Sequence, residues 1–381
     1  MIYFDAGATT LQKPERVRRA MYRAAAAMSS PGRGSYPATR LAEETDFRCR
    51  SLAAALFDVE DPACVVFTSS ATHGLNIAIK TLVKPGCRVV ISGYEHNAVT
   101  RPLHGIPNVE LTVIDAPLFR PESMLAEFEQ ALDAGADAVI CTHVSNVFGY
   151  RLPAEDIAAL CRRRGVPFVL DASQSAGMLP VSMRELGAAF IAMPGHKGLL
   201  GPQGTGILLC FAQPEPLLYG GTGSQSMLQT MPEQLPDRLE AGTHNVPGIA
   251  GLLAGVRYVS AQGVDNIARR ERRLSQNLSE RLSRETRLEV FASPDVSCQT
   301  AVLSVRCRDM DCETLAQALA HSGIAVRAGL HCAPVAHRTA GTLETGTVRL
   351  SLSPFTTDAD IAHTVRAFHD ILRTGKSGFL Y

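Results

Sequence analysis

The middle of the chain repeats one unit: a short apolar run, a polar or glycine-rich turn, and an amphipathic helical segment. Two of the apolar runs are Arg88–Ser92 and Ala138–Thr142, and helical patterns follow them near residues 97–103 and 153–164. Strands that alternate with helices form a mainly parallel sheet that is covered on both faces. Ligands of such sheets bind beyond the carboxyl ends of the strands. We therefore expect functional residues in the turns after Phe67, Ser92, Thr142, Leu170 and Met193.

The pattern changes after about residue 250, where strands and helices no longer alternate regularly. Residues 267–285 read as a long charged helix, whose arginine and glutamate run is typical of a solvated face. Short apolar runs and helical segments near residues 302–372 indicate a smaller α+β region, and the strand at residues 2–4 is expected to pack against it. We predict a large domain at residues 15–255 and a small domain formed by residues 1–14 and 256–381.

Composition excludes several classes of partner. Lysine plus arginine equals aspartate plus glutamate at 37 each, so the chain lacks the basic field that nucleic acid or an anionic membrane requires. No apolar run approaches the roughly 20 residues that span a bilayer, and no basic segment precedes an apolar one at the N-terminus. The ten cysteines are scattered and form no Cys-x-x-Cys pair, which disfavours structural zinc. A cytoplasmic protein with a small-molecule partner and no metal is predicted.

Two strand ends carry residues that together favour pyridoxal 5′-phosphate as the cofactor. Lys197 follows an apolar run in the glycine-rich turn Gly195-His-Lys-Gly, where a lysine can be desolvated and become a nucleophilic amine. Asp171 ends another apolar run, and a carboxylate there suits a pyridinium nitrogen. Taken singly, Lys197 is better explained as a surface lysine and Asp171 as a helix N-cap. Their combination favours the cofactor.

A phosphate site is predicted in the polar segment at residues 68–74, Thr-Ser-Ser-Ala-Thr-His-Gly, which follows a strand and opens a helix. Backbone amides at such a helix start face an anion, although the segment could equally serve only as a cap. His96 follows the next strand and could stack on an aromatic cofactor, or could be a hydrogen-bonded structural residue.

The motifs just described, together with two later ones, resemble the class V aminotransferase family. The matching segments are Asp171-Ala-Ser-Gln174, Gly195-His-Lys197, Glu240-Ala-Gly-Thr-His-Asn245 and Arg327-Ala-Gly-Leu-His-Cys332-Ala. Within the family they are similar to the branch of cysteine desulfurases and selenocysteine lyases, and the similarity runs from Tyr3 to Arg349 and the closing helix. The resemblance implies the fold type I of pyridoxal-phosphate transferases, with a mainly parallel seven-stranded sheet and a smaller α+β C-terminal domain.

The resemblance also implies a role for each matching position. Lys197 would hold the cofactor covalently and move protons, while Asp171, Gln174 and His96 would contact the ring. The remaining cofactor and substrate positions that it implies are Ala71, Thr72, His196 and Thr243 at the phosphate, with Thr243 coming from the other subunit of a homodimer, and Asn146, Arg349 and Arg327 at the substrate carboxylate.

Two positions depart from the family pattern at the phosphate site. Pro194 stands where a serine or threonine often precedes the Gly-His-Lys turn, and it offers neither a hydroxyl nor an N–H group. Ala71 stands where the family often has the first of two threonines. Phosphate binding is therefore expected to depend on backbone amides, Thr72, His196 and a group from the partner chain.

Cys332 determines which reaction the sequence favours. It lies in a glycine-containing loop with Arg327, His331 and His337 nearby, and cationic neighbours favour the nucleophilic thiolate. We predict that Cys332 accepts sulfur from L-cysteine as a persulfide and passes it to an acceptor protein, leaving L-alanine. L-Selenocysteine stays open as a substrate, because its acidic selenol could lose selenium without a protein nucleophile. The alternatives are an aminotransferase, a kynureninase-like lyase or a non-catalytic relative.

Overall fold

The computed structural model of this chain describes residues 1–32 and 34–374. The strands of this part are β1 (Ile2–Tyr3), β2 (Val65–Thr68), β3 (Arg88–Ser92), β4 (Glu110–Ile114), β5 (Ala138–Thr142), β6 (Phe168–Asp171), β7 (Phe190–Pro194), β8 (Gly206–Cys210), β9 (Leu288–Phe291), β10 (Val302–Cys307), β11 (Ile324–Ala325), β12 (Arg327–Gly329) and β13 (Thr347–Ser351). The helices are α1 (Glu15–Ala27), α2 (Pro37–Leu56), α3 (Ala71–Leu82), α4 (Asn97–His104), α5 (Pro121–Asp133), α6 (Ala154–Arg164), α7 (Met183–Leu186), α8 (Val246–Gln262), α9 (Val264–Leu282), α10 (Cys312–His321), α11 (Pro334–Thr339) and α12 (Asp358–Thr374).

The largest sheet in the described residues has seven strands in the order β2-β8-β7-β6-β5-β3-β4. All neighbours pair in parallel except β8, which is antiparallel to both β2 and β7. Parallel strands need crossover connections, which the helices between β2 and β7 supply. The predicted α/β fold with a mainly parallel seven-stranded sheet is confirmed.

Hydrophobic side chains cover this sheet on both faces. Consecutive residues of one strand point to opposite sides, so Val169 and Leu170 belong to different core clusters, as do Phe190 and Ile191. Strands β5 to β8 are buried along their whole length, as expected for a sheet packed between helices. Helices α1 and α2 both pack on α8. Because both faces of the sheet are covered, the polar turns at the carboxyl ends of the strands are where functional residues can lie.

A second, antiparallel sheet forms the C-terminal region in the order β12-β13-β10-β9. Strand β1 pairs in parallel with β11, so the N-terminus joins this region as the sequence predicts. The predicted boundary at residue 255 falls inside α8, and the division into two domains stays a prediction. Within residues 1–32 and 34–374, no helix combines the length and the apolarity needed to cross a membrane.

The structure differs from the sequence-based expectations at two places in the strands. Strand β8 was not predicted, because its apolar run follows a glycine-rich loop and no helix comes after it. The apolar run at residues 324–327, which by its pattern predicts one strand, instead belongs to two short strands, β11 and β12, that lie in different sheets. The chain changes its pairing partner at Val326, which no local pattern indicates.

The charged helix α9 is not solvated over its whole polar sequence. Glu271 is 2% exposed, and its Oε1 is buried without a hydrogen-bond partner in the described part of the chain. Burial raises the pKa of its carboxyl group from 4.5 to about 8, with Arg270 opposing the shift. The interpretation of the run as a solvated face is therefore wrong at this position.

Candidate active site

A cavity of about 210 Å³ lies at the carboxyl-terminal edge of the large sheet. Its lining comes from the turns after β2, β3, β5, β6 and β7, where the topology predicts a ligand. The structure places most of the expected site residues around it, namely Ala71, Thr72, His96, Asn146, Asp171, Gln174, His196 and Lys197. The other four expected residues do not line it, namely Thr243, Arg327, Cys332 and Arg349.

Lys197 follows β7 in a turn that protein atoms surround, although the residue keeps partial exposure through the cavity. Burial lowers the pKa of its ammonium from 10.5 to about 8, Asp171 opposes this shift, and Arg349 adds to it. A substantial fraction of the amine is therefore neutral near neutral pH, which a nucleophilic lysine requires.

Asp171 ends β6 and is 2% exposed. Its Oδ1 accepts a hydrogen bond from the amide of Ser173 at 2.9 Å, which leaves the other carboxylate oxygen for a cationic ring nitrogen. A turn rather than a helix follows, so the helix N-cap interpretation of Asp171 is wrong. The carboxylate is positioned by its own strand end and turn.

His96 is the N-cap of α4. Its Nδ1 accepts a hydrogen bond from the amide of Ala98 at 3.0 Å, so the ring proton of the neutral form is on Nε2. Burial lowers the pKa of His96, with Asp171 opposing that shift. The ring is therefore a neutral plane beside the cavity, held in one tautomer by the start of the helix.

The end of the cavity where phosphate binding is predicted is lined by Ser70, Ala71 and Thr72, where α3 begins. His196 also lines the cavity, and burial lowers the pKa of its imidazole to about 4, with Lys197 contributing. Its Nδ1 is 3.0 Å from the hydroxyl of Thr9, a residue that was not predicted to belong to the site. When the Thr9 hydroxyl donates, His196 keeps its Nε2 proton as a donor.

Thr243 lies away from this cavity within the same chain. It lines a separate cavity of about 440 Å³ together with His73 and Gly242. The role expected for Thr243 at the phosphate of the other subunit stays a prediction.

The N-terminal segment passes beside the predicted site residues after β1. The carbonyl oxygen of Gly7 accepts a hydrogen bond from Nε2 of Gln174 at 2.9 Å, which leaves that amide one further N–H. The hydroxyl of Thr10 donates to the carbonyl oxygen of Lys197 at 3.0 Å, and Nζ of Lys13 donates to that of His196 at 2.8 Å. Residues 7–13 therefore support the turn that carries His196 and Lys197.

The arginines expected at the substrate carboxylate share one partner that sequence reasoning missed. Asp5 forms ion pairs with Arg349 at 2.9 Å and with Arg327 at 2.7 Å. Nη1 of Arg349 donates to the carbonyl oxygen of Asn146 at 3.0 Å. The sequence shows Asp5 only as part of an N-terminal motif, because its partners are 322 and 344 residues away along the chain.

Cys332 is the exposed cysteine among the ten, all of which lie in the described part of the chain and none of which forms a disulfide. It follows His331, and both residues have positive φ, 52° and 56°. The carbonyl oxygen of Cys332 accepts from the amide of Asn97 at 2.8 Å, and that of His331 accepts from Nδ2 of Asn146 at 2.8 Å. Two hydrogen bonds thus tie the cysteine loop to residues at the cavity.

The histidines near Cys332 are not the cations that the sequence suggested. Nδ1 of His331 is 3.3 Å from Nε2 of His337, whose Nδ1 is 2.7 Å from the hydroxyl of Thr342. Burial lowers the pKa of His331 to about 3 and that of His337 to about 4, so both rings are neutral near pH 7. The cationic neighbour of Cys332 is Arg327.

The residues around the cavity fit pyridoxal 5′-phosphate. An amine with a lowered pKa at Lys197 and a buried carboxylate at Asp171 lie on the same cavity as the start of α3. Oδ1 of Asn146, which also lines the cavity, is buried without a hydrogen-bond partner in the residues described here. A buried polar atom without a partner is costly, so a polar ligand is expected beside it.

Comparison with known proteins agrees with this arrangement. The probable cysteine desulfurase of Methanothermobacter thermautotrophicus is 31% identical over 94% of this chain and 92% of its own length. That of Pyrococcus abyssi is 30% identical over 99% of this chain and 96% of its own. The apo structure of the cysteine desulfurase from Thermococcus onnurineus NA1 matches with a TM-score of 0.90 and 28% identity, over 98% of this chain and 95% of that one.

The family comparison covers nearly the whole described chain. The family described as Aminotransferase class-V matches residues 2–363. The match includes the turn that carries Lys197, the loop that carries Cys332 and the strand that carries Arg349. It confirms the predicted family and fold type I. The chain belongs to the aminotransferase class-V family, whose members use pyridoxal 5′-phosphate.

Proposed function

We propose that this protein is a cysteine desulfurase, which converts L-cysteine to L-alanine and takes the sulfur on Cys332. The observation that carries the proposal is the attachment of the Cys332 loop to the cavity. Asn146, which lines the cavity, donates to the carbonyl oxygen of His331, and Asn97, the neighbour of His96, donates to that of Cys332. These bonds support the proposal because they hold the loop that carries an exposed cysteine against residues near the cavity. The names of the relatives agree with this reaction.

Three residues at the cavity have a role in this proposal, namely Lys197, Asp171 and His96. When bound, pyridoxal 5′-phosphate withdraws electrons from the bonds at the α-carbon of an amino acid. Nζ of Lys197 would hold the cofactor and, with its pKa near 8, would accept and return a proton. Asp171 would hold the positive charge of the ring nitrogen, and the ring of His96 would contact the cofactor ring.

The sulfur step is assigned to Cys332 because it is exposed and its loop is hydrogen-bonded to Asn146 at the cavity. The nucleophile of this step is the thiolate of Cys332. The thiolate attacks the substrate sulfur, so an S–S bond forms while the bond between that sulfur and the β-carbon breaks. The electron pair of the broken bond stays on the carbon, which takes up a proton to give alanine. An acceptor protein or a small thiol then attacks the outer sulfur of the persulfide. The S–S bond breaks, the acceptor keeps the sulfur, and Cys332 is released as the thiolate.

Arg349 and Asn146 are proposed to hold the substrate carboxylate. Arg349 is 2% exposed, and its pKa is lowered by burial, so an incoming carboxylate would be a strong partner. Arg327 lies on the outer side of Asp5, and 52% of its side chain is exposed. L-Selenocysteine is proposed as a further substrate, because it carries the same carboxylate and amino group.

A homodimer is proposed from the surface around the segment before Thr243. Leu218, Tyr219, Met227 and Leu228 are all exposed there, and exposed large apolar side chains that lie together are typical of an interaction surface. A partner chain on this surface would cover these side chains and would bring Thr243 towards a second cavity. We also propose that the protein is cytoplasmic and that its large domain ends at residue 255.

The decisive experiment measures alanine released from L-cysteine under reducing conditions. Wild-type protein is expected to release alanine, and Cys332→Ala to release none while it keeps the yellow colour of the bound cofactor. Cys64→Ala is the matched control, because Cys64 is partly exposed and distant from the cavity lining. Unchanged turnover in Cys332→Ala would rule out the persulfide step. A 2-oxo acid product in place of alanine would indicate an aminotransferase.

A parallel assay with L-selenocysteine tests the second substrate. Alanine from both amino acids, with only cysteine turnover lost in Cys332→Ala, would support a desulfurase that also accepts selenocysteine. Alanine from selenocysteine alone would make the protein a selenocysteine lyase. No alanine from either would contradict the proposed reaction and leave the family assignment in place.

A further inference from the structure

The carboxylate of Asp5 lies between the guanidinium groups of Arg327 and Arg349, and it accepts more hydrogen bonds from Arg327 than from Arg349. Arg327 approaches with both Nε and Nη2, at 3.1 and 2.7 Å from Oδ2. Arg349 approaches with Nη2 alone, at 2.9 Å from Oδ1. Because a guanidinium edge matches a carboxylate when both of its nitrogens donate, the pair with Arg327 is the better formed of the two.

Arg349 is left with an incomplete set of partners. Its Nη1 donates to the carbonyl oxygen of Asn146, and its Nη2 donates to Asp5. Its Nε is buried and has no hydrogen-bond partner among residues 1–32 and 34–374. The edge formed by Nε and Nη2 is therefore half used. A buried N–H without a partner is costly, so this edge is suited to a second carboxylate that would use both nitrogens.

The backbone at Gly7 packs closely against Arg349, which limits the size of the group that can lie beside the guanidinium on this side. A side chain at Gly7 would lie 3.3 Å from Cζ of Arg349 and 3.1 Å from Oγ of Ser351. The protein therefore leaves no room on this side for a larger residue. Asp5 is the carboxylate of the protein at Arg349, and it comes from the same N-terminal segment.

We propose that Asp5 is a positioning residue that occupies Arg349 in the free enzyme and yields Nη2 to the carboxylate of the substrate. The inference rests on the proposed function, since it takes the substrate to be an amino acid. Arg327 keeps Asp5 in place by the bidentate pair while Arg349 changes partner. Asp5 thus acts as an internal competitor, which weak anions displace poorly and a well-placed carboxylate displaces readily.

Removing the charge of Asp5 and removing that of Arg327 should change the affinity of Arg349 for carboxylates in opposite directions. Asp5→Asn keeps the shape of the side chain but removes the competing charge, so Arg349 should bind carboxylates more tightly. Arg327→Gln frees Asp5 to pair with both Nε and Nη2 of Arg349, so carboxylates should bind more weakly. A purely structural role for Asp5 would weaken binding in both variants.

The test measures the binding of propionate to the cofactor-loaded enzyme. Propionate has the carboxylate but neither the amino group nor the thiol, so it cannot be turned over. Its apparent dissociation constant is taken from the rise in melting temperature with concentration, against equal concentrations of chloride. Asp5→Asn should lower that constant by at least about fivefold, and Arg327→Gln should raise it by a similar factor.

Two further variants complete the experiment. Asp358→Asn removes a surface carboxylate that pairs with Arg273 through two bonds of 2.8 Å, and its propionate binding should equal that of the wild type. The double variant Asp5→Asn, Arg327→Gln should bind propionate like Asp5→Asn alone, because Arg327 acts through Asp5.

Several outcomes would overturn the inference. Equal or weaker propionate binding in Asp5→Asn would do so, as would unchanged binding in Arg327→Gln if Asp5→Asn does not fold. These measurements involve no turnover. Tighter binding in Asp5→Asn together with no alanine from L-cysteine would therefore contradict the proposed reaction while supporting the role of Asp5.

Discussion

Asn146 donates a hydrogen bond from Nδ2 to the carbonyl oxygen of His331 at 2.8 Å, although the two residues are 185 positions apart in the sequence. Asn146 follows the large sheet, and His331 precedes the exposed Cys332 in the C-terminal region. The backbone carbonyl of Asn146 also accepts from Arg349. One residue therefore joins the cavity, the predicted carboxylate clamp and the cysteine loop.

Asn146→Ala should weaken the connection between the cavity and the cysteine loop while the cofactor stays bound. The variant loses the donor to His331 and the Oδ1 atom at the cavity, but it keeps the backbone bond to Arg349. We expect kcat/KM for L-cysteine to fall about 10- to 100-fold, since each factor of ten corresponds to about 1.4 kcal/mol. Asn266→Ala, which alters an exposed asparagine on α9, is the control. Wild-type kcat/KM in Asn146→Ala would show that this hydrogen bond does not serve the reaction.

Lys197→Ala should abolish covalent attachment of the cofactor. Borohydride treatment of the wild-type enzyme is expected to leave the chain heavier by the reduced cofactor, and mass spectrometry should locate the added mass on Lys197. The variant should show no added mass and no alanine release. Lys80→Ala, on α3 and exposed, serves as the control. Covalent attachment that persists in Lys197→Ala would refute the role of this lysine.

The strand-end rule predicted much of the site because it needs only local patterns. The bounds of β3 and β5 agree with the sequence-based expectation, since each apolar run ends at a polar turn. Lys197 and Asp171 were found in the same way, and both lie on one cavity. Topology brings such turns together whenever parallel strands are neighbours, so no knowledge of tertiary contacts was required.

The residues that were not predicted act through distant contacts or through burial. Asp5 meets its arginines only when β1 pairs with β11 and β12 lies beside β13. The sequence shows His331 and His337 beside Cys332 but not that they are buried, and burial is what keeps them neutral. Burial therefore removes His331 and His337 from the three cationic neighbours that proximity in sequence suggested, and it leaves Arg327.

Thr342→Val should destabilise the cysteine loop through His337. The hydroxyl of Thr342 is 2.7 Å from Nδ1 of His337, and valine keeps the shape of threonine without that partner. A buried imidazole nitrogen without a partner costs about 1–3 kcal/mol, which urea unfolding should detect. Thr342→Ser keeps the hydroxyl and should lose less. Equal losses in the two variants would assign the effect to packing and contradict a role for the hydrogen bond.

Glu271→Gln should stabilise the protein at high pH and not at low pH. The pKa of the Glu271 carboxyl group is about 8 in the folded protein, against 4.5 as its ordinary value, because the group is buried. Between these two values the folded state binds more protons than the unfolded state, so the free energy of unfolding falls as pH rises from 4.5 to about 8. Glutamine has the shape of the protonated acid and carries no charge to bury.

The comparison requires urea unfolding of the wild type and the variant at both ends of this range. We expect Glu271→Gln to gain about 4 kcal/mol at pH 8 and almost nothing at pH 4.5, where Glu271 is already protonated in the folded protein. Glu280→Gln, at an exposed position of the same helix, should change stability little at either pH. A loss of stability in Glu271→Gln at pH 8 would mean that the carboxylate is charged and paired in the folded protein.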